Sequence, residues 1–311
     1  MTSPSKPDLS ALVKSRLATP REMRIEADAA AIGAAILRQL LPNSAPGGDY
    51  PLRMSSLGSC AKALAFKFRG VPPDGRVIDG RARATFAMGD MAEQLLVTTL
   101  ADSIGELGDG WKLSGYREEG QALVSLDVEL PEGTVTIPGH PDGTIEGPQG
   151  FRAVLEVKSA SSYGFSRWEK AIRDGVDPWT PEEGYWFQVQ GYMHATVTDL
   201  AYVLALCKDS GAIMGFWIRR DPHFMSMITK HLNLVTTTDP ASAPRMLPNG
   251  EILGPVAKLS KKTGAPLKGH NSLHWRCAYC SHFRVCFGGR LDEKVETDYR
   301  GRPSRKLYLR A

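Results

Sequence analysis

Arg152 to Lys158, RAVLEVK, is the stretch that decides the fold. Side chains alternate across a strand, so Val154, Glu156 and Lys158 leave one face and Leu155 and Val157 the other. An acid and a lysine therefore project together from a strand whose apolar neighbours mark it as buried. Burying both charges costs several kcal/mol, roughly, even when they pair, which points to chemistry rather than packing. Just upstream, Gly139–His140–Pro141–Asp142–Gly143 offers a second carboxylate at the start of another strand. Pro-Asp-Gly is also a turn signature, repeated at Pro73–Asp74–Gly75, and read alone Asp142 is equally a turn residue. A further acid-x-lysine triplet, Asp292–Glu293–Lys294, lies in a polar tail where no strand is expected and is set aside on that ground.

Outward from this strand the pattern alternates between strands and helices. Ala122 to Leu130 has the period of a half-buried strand, and Thr134 to Pro138 and Gly143 to Glu146 continue as short strands separated by Gly and Pro. Ser162 to Arg173 and Pro181 to Thr198 read as helices, Leu200 to Cys207 and Ala212 to Ile218 as strands, and Pro222 to Val235 as a helix. Upstream, Arg21 to Leu41 has helical spacing, Pro42 to Asp49 is a linker, Ser55 or Ser56 caps a helix running through Cys60 to Phe68, and Phe86 to Leu100 is amphipathic. This order describes an α/β sandwich with a central sheet flanked by helices, not a Rossmann repeat. The chain divides into a mobile arm at 1–20, a helical region at 21–85, a core at 86–239, a basic loop at 240–274, a cysteine unit at 275–290 and a basic tail at 291–311.

The 38 basic and 34 acidic residues leave a formal charge of +4 on 311 residues, too mild to indicate nucleic acid by itself. Locally the balance is sharper. Between Arg245 and Arg276 the bases Arg245, Lys258, Lys261, Lys262, Lys268 and Arg276 meet a single acid, Glu251, which fits a phosphate-contacting loop or a solvated surface loop equally. No apolar run is long enough to span a bilayer and the N-terminus has no signal-peptide core, so a cytoplasmic protein without a membrane partner is expected. Five cysteines in such a chain argue against a disulfide framework. Cys207 closes the apolar run AYVLALC and reads as a small buried hydrophobe. Cys277-x2-Cys280-x5-Cys286, with Cys60 far upstream, provides four thiolates that suit either tetrahedral Zn²⁺ or a [4Fe–4S] cluster.

Hard divalent cations take oxygen ligands, commonly one or two carboxylates with water and phosphate. Asp142, Glu156 and the backbone carbonyl of Val157 offer such a set, and Lys158 would orient or deprotonate the attacking water. Glu93 follows Gly89 by one turn on the upstream helix, and Gln188 and Tyr192 share one face of the downstream helix. Each is ordinary alone; their order along the chain is the signal. Trp168, Trp179, Tyr185 and Trp186 gather around the same helices, either as stacking platforms for single strands or as core.

In that order, the stretches MGDMAEQLL, GHPDGTI, LEVKSA and QVQGYMHA resemble the PD-(D/E)XK superfamily, in its RecB-like exonuclease branch. The cysteines extend the likeness to the Fe–S subgroup, which includes CRISPR-associated, AddB-type and phage-encoded nucleases. The resemblance implies a restriction-endonuclease-like core with a mixed central sheet and a cysteine-ligated Fe–S subdomain. It further implies that Glu93, Asp142 and Glu156 hold Mg²⁺ or Mn²⁺, that Lys158 is the catalytic lysine with Gln188 and Tyr192 in support, and that Cys60, Cys277, Cys280 and Cys286 hold [4Fe–4S]. The implied substrate is DNA at single-stranded ends, cut 5′→3′, in recombination, repair or CRISPR-type processing, with recombination or CRISPR-adaptation proteins as partners. Members of the CRISPR-associated type usually carry His where Glu93 stands, whereas Glu there is more like viral alkaline exonucleases. Two alternatives stay open: a DNA-end-binding adaptor with weak or no cleavage, and a zinc-stabilised nuclease.

Overall fold

A computed structural model describes residues 6–18, 33, 52–74, 80–116, 120–254, 256–259, 266–288, 291–297 and 303–309. The helix expected at Arg21–Leu41, apart from Gly33, and the linker after it lie outside the described residues. In chain order the elements are α1 (Leu9–Ala18), α2 (Ala61–Phe68), α3 (Gly80–Ser103), β1 (Lys112–Ser114), β2 (Val124–Leu130), β3 (Gly133–Gly139), β4 (Gly143–Gly147) and β5 (Phe151–Ala160). There follow α4 (Ser162–Arg173), α5 (Gly184–Thr196), β6 (Leu200–Cys207), β7 (Ile213–Arg219), α6 (Phe224–Thr237), β8 (Val256–Leu259), β9 (Pro266–Ser272), α7 (Trp275–Ala278), α8 (Phe283–Phe287), β10 (Leu291–Thr297) and β11 (Pro303–Leu309).

The first of two compact units comprises Met1–Ser55, Ile78–Val128 and Val135–Phe224. Its centre is a five-stranded mixed sheet in the order β1-β4-β5-β6-β7. Only β5 and β6 run parallel, and a parallel pair needs a long crossover, which α4 and α5 supply. Ala153 to Val157 are all buried, so this strand is covered on both faces. On one face Leu155 and Val157 pack with Tyr202 and Leu204 of β6 and with Leu9, Val13, Leu96, Val97 and Leu100 from α1 and α3. On the other, Trp168 and Trp179 meet Phe216 of β7. The alternation read at Ala122–Leu130 is present: Leu126, Val128 and Leu130 are buried and Ser125, Asp127 and Glu129 exposed. Yet β2 and β3 form a two-stranded sheet of their own, apart from the central one. Strand β1, absent from the sequence reading, is too short to show a period.

The arm expected to be mobile is helical from Leu9, with Leu9, Ser10 and Val13 buried. Pro7 stands before the first turn, where it does not interrupt helix hydrogen bonds. Asp8 Oδ1 accepts from the amides of Ser10 and Ala11 at 3.1 and 3.2 Å, capping the helix. The Ser10 amide also donates to the Tyr202 hydroxyl at 2.9 Å. Tyr202 reaches that position across Gly215, where any Cβ would stand 1.9 Å from the phenolic oxygen.

The second unit comprises Ser56–Val77, Glu129–Thr134 and Met225–Ala311. It contains a four-stranded sheet in the order β10-β11-β9-β8. Two expectations are thereby corrected: the segment 240–274, read as loop, carries β8 and β9, and the basic tail carries β10 and β11. These strands have little apolar period, so antiparallel backbone pairing, not side-chain pattern, defines them. Asp292–Glu293–Lys294 consequently does lie on a strand, but on β10, in a different sheet from β4 and β5. The serines named as caps form a 3₁₀ turn at Met54–Ser56, and Cys60 itself is the N-cap of α2. On α6, buried His231 lies with Nε2 3.0 Å from the Ser59 carbonyl, and burial lowers its pKa to about 4. Among the described residues no helix is long and apolar enough to cross a membrane.

Candidate active site

Antiparallel pairing of β4 with β5 sets Gly143 opposite Leu155, and the same register carries Asp142 to the level of Glu156. Asp142 Oδ2 accepts from the Val157 amide at 2.6 Å. The loop bearing Asp142 is fixed at three points. The Tyr192 hydroxyl donates to the His140 carbonyl at 2.9 Å, Gln121 Nε2 donates to the Pro141 carbonyl at 3.0 Å, and His140 Nδ1 lies 3.2 Å from the Ala122 carbonyl. Gly139 makes this approach possible, since a Cβ there would stand 2.7 Å from the Tyr192 ring.

Glu156 is fully buried. Its Oε1 accepts a hydrogen bond from the Lys158 ammonium, while Oε2 has no hydrogen-bond partner among the described residues. Burial raises the Glu156 carboxyl pKa against the pull of Lys158, and the Glu93 carboxylate adds to the rise. For Lys158 burial acts downward, but the Glu156 and Asp142 carboxylates outweigh it and hold the ammonium above the ordinary lysine range. These carboxylates favour the ammonium form of Lys158, which suits a hydrogen-bond donor to a water or a phosphate. Glu93 lies one turn beyond Gly89, where an added Cβ would stand 3.5 Å from Ser159 Oγ on β5.

From α5, Gln188 Nε2 donates to the Tyr192 hydroxyl at 3.2 Å. Burial, with the nearby Glu156 charge, raises the Tyr192 pKa and keeps it a neutral donor to the Asp142 loop. One turn earlier on the same helix, Tyr185 is 43% exposed, and Lys158 Nζ lies 5.2 Å from its ring centroid. Its ring rests on Trp179 at 5.3 Å. Of the two readings of the other three aromatics, core is the one the structure carries: Trp168, Trp179 and Trp186 are buried and pack against one another or against Phe187, Phe216 and Phe224. Tyr185 was one of four in the sequence; its place three residues before Gln188 was the signal that set it apart.

Four of the five cysteines, Cys60, Cys277, Cys280 and Cys286, belong to the second unit. Cys60 and Cys286 pack on Leu247, Leu253, Leu273, Cys277 and Phe287, and all five cysteines of the chain are free of disulfides. Burial pushes Cys277 up to about 12 and Cys280 up to about 11, and the neighbouring Cys60 and Cys286 sulfurs add to both. Arg245 is turned toward this cluster: its Nε donates to Cys286 Sγ at 3.2 Å. Among the described residues no group of three or more His, Cys, Asp or Glu is arranged to hold a single ion. Mg²⁺ does not require one, since it takes one or two carboxylates and completes its shell with water and phosphate. Cys60, Cys277 and Cys286 share one apolar cluster, and Cys280 is near enough for the Cys60 and Cys286 sulfurs to act on it.

No family model and no curated protein matches this sequence. Among solved structures, SSO0001 is similar over 87% of this chain and 98% of its own, at 13% identity and a TM-score of 0.46. LHK-Exo in complex with dAMP is similar over 68% of this chain and 89% of its own, at 16% identity and a TM-score of 0.31. The alkaline exonuclease LHK-Exo from Laribacter hongkongensis is similar over the same shares, at 15% identity and a TM-score of 0.28. Likenesses this loose show neither family nor activity, which are left to the side chains.

Proposed function

We propose that this chain is a metal-dependent deoxyribonuclease with a restriction-endonuclease-like, PD-(D/E)XK core, hydrolysing phosphodiester bonds at single-stranded DNA ends. The observation that carries the reading is the unpartnered Oε2 of fully buried Glu156, beside Asp142 and a lysine held protonated. A buried carboxylate oxygen without a donor is costly to keep, and a cation shared with Asp142 removes that cost. Glu156 and Asp142, with Glu93 and the Val157 carbonyl, would hold Mg²⁺ or Mn²⁺, which supplies a Lewis acid and a more acidic water. Lys158 would offset phosphate charge and orient the nucleophile through an N–H that Glu156 does not use. Tyr192 and Gln188 would keep the Asp142 loop aimed. The preference for single-stranded ends, and 5′→3′ polarity, come from the sequence resemblance alone.

The four cysteines complete the proposal as ligands of a structural [4Fe–4S] cluster. Anaerobically purified protein should be brown and contain iron and sulfide; colourless protein with stoichiometric zinc would replace the cluster with zinc. For the catalytic reading, end-labelled single- and double-stranded DNA is digested with Mg²⁺ or Mn²⁺, with and without chelator. Wild type should shorten single strands only with metal, and Glu156→Gln and Lys158→Ala should each be slower by about 100-fold or more. Full activity in both variants would remove the assignment, and tight binding of ends without cutting would favour the adaptor.

A further inference from the structure

The segment 241–253 touches both ends of the cysteine centre. Residues 245–253 close a hairpin: the Leu253 amide donates to the Arg245 carbonyl at 2.6 Å, Met246 bridges to Ile252, and the Leu247 amide donates to the Glu251 carbonyl at 2.9 Å. On one side this segment holds the residues that follow Cys60. The Ala61 amide donates to the Met246 carbonyl at 2.8 Å, the Lys62 amide to the Pro244 carbonyl at 3.2 Å, and Lys62 Nζ to the Ala241 carbonyl at 2.5 Å. On the other side the Arg245 guanidinium makes two contacts with the last cysteine and one with the residue after it. Nε donates to Cys286 Sγ at 3.2 Å, Nη2 donates to the Cys286 carbonyl at 3.0 Å, and the guanidinium lies over the Phe287 ring at 4.1 Å.

Taking the cysteines as ligands, we propose that Arg245 is the positioning residue of their centre, holding Cys286 against Cys60 and governing how firmly the metal is kept and how readily it is reduced. Four thiolates would concentrate negative charge around one centre, and the Arg245 guanidinium stands against one of those sulfurs. A cation hydrogen-bonded to one sulfur offsets that charge, and hydrogen bonds to cluster sulfurs are among the features that set its reduction potential. Only a planar fork makes two hydrogen bonds to one residue while stacking on the next ring, so lysine is not an equivalent.

The test uses the full chain, purified anaerobically, as wild type, Arg245→Lys and Arg245→Met. Iron, sulfide and zinc are measured per chain, metal loss to excess chelator is timed, and the midpoint potential is followed by visible absorption. Arg245→Met should lose metal about 10–100-fold faster, the usual effect of removing a residue that supports a ligand, and its potential should shift negative. Arg245→Lys, which keeps the charge, should stay near the wild-type potential yet lose metal faster. If Arg245→Met does not fold, by circular dichroism, the lysine variant decides through its release rate. Wild type that binds metal, with both variants matching it in release and potential, would overturn the role of Arg245 and leave the cysteine centre standing. Wild type without bound iron or zinc would overturn both. If the metal is zinc, release rate alone is decisive.

Discussion

The Val157 amide donates to Asp142 Oδ2 at 2.6 Å, so a carboxylate from one strand end is fastened to the strand that carries Glu156 and Lys158. Asp142→Asn retains an acceptor for that amide and removes the charge. Cleavage should be lost while stability in urea changes by less than about 0.5 kcal/mol. Asp142→Ala leaves the amide without its partner and should cost about 1–3 kcal/mol as well.

Glu156 and Lys158 should separate activity from stability. Glu156→Gln removes a charge that burial disfavours, so the variant should be inactive but no less stable in urea. Lys158→Ala leaves buried Glu156 without its counter-charge and should be both inactive and destabilised, by about 3 kcal/mol. In wild type the raised Glu156 pKa means that the carboxylate forms only above the ordinary range. Cleavage at fixed metal should therefore climb as pH rises above 4.5, and a rate that does not rise with pH would contradict the assignment.

Tyr185 caps the Lys158 ammonium and is exposed enough to replace without disturbing the core. Tyr185→Phe keeps the ring face and should retain the wild-type kcat. Tyr185→Ala should lower kcat about two- to tenfold, the worth of a partly exposed cation–π contact. Steady-state rates across DNA concentrations separate this from a change in KM alone.

A methyl group at Gly139 would press on Tyr192. Gly139→Ala should cost about 1–3 kcal/mol through overpacking and slow cleavage by moving the Asp142 loop. Gly215→Ala, whose Cβ would collide with the Tyr202 hydroxyl, should be more destabilising still, measured by thermal unfolding.

His231 gives the second unit a pH dependence of known sign. Its pKa falls from 6.5 to about 4 on burial, so its neutral form is favoured by folding. The stability tied to it is fully present above pH 6.5 and drains away as pH falls from 6.5 to 4, amounting to about 3 kcal/mol. His231→Gln, which keeps a donor for the Ser59 carbonyl, should flatten that part of the urea midpoint against pH.

Glu156, Lys158, Gln188 and Tyr192 were legible because strand and helix periods say which side chains share a face. The protonation of Lys158 was not, since it depends on how the charges of Glu156 and Asp142 weigh against burial. Nor was the fate of the tryptophans, because an aromatic near a sheet has the same sequence signature whether it stacks on a substrate or on Phe216. Arg245 belonged to a basic run, and only the hairpin from Arg245 to Leu253 shows it pointing at sulfur. The strands β8 to β11 are held by backbone pairing that leaves no apolar period to read.

The bond from the Ser10 amide to the Tyr202 hydroxyl joins the beginning of the chain to strands that come 192 residues later. On a ribosome, α1 therefore has no sheet to dock on until β6 and β7 have emerged, about 10–40 s later at ordinary elongation rates. Through that interval Leu9 and Val13 have at most α3 to pack on, so the nascent chain carries a sticky helix that chaperones would shield.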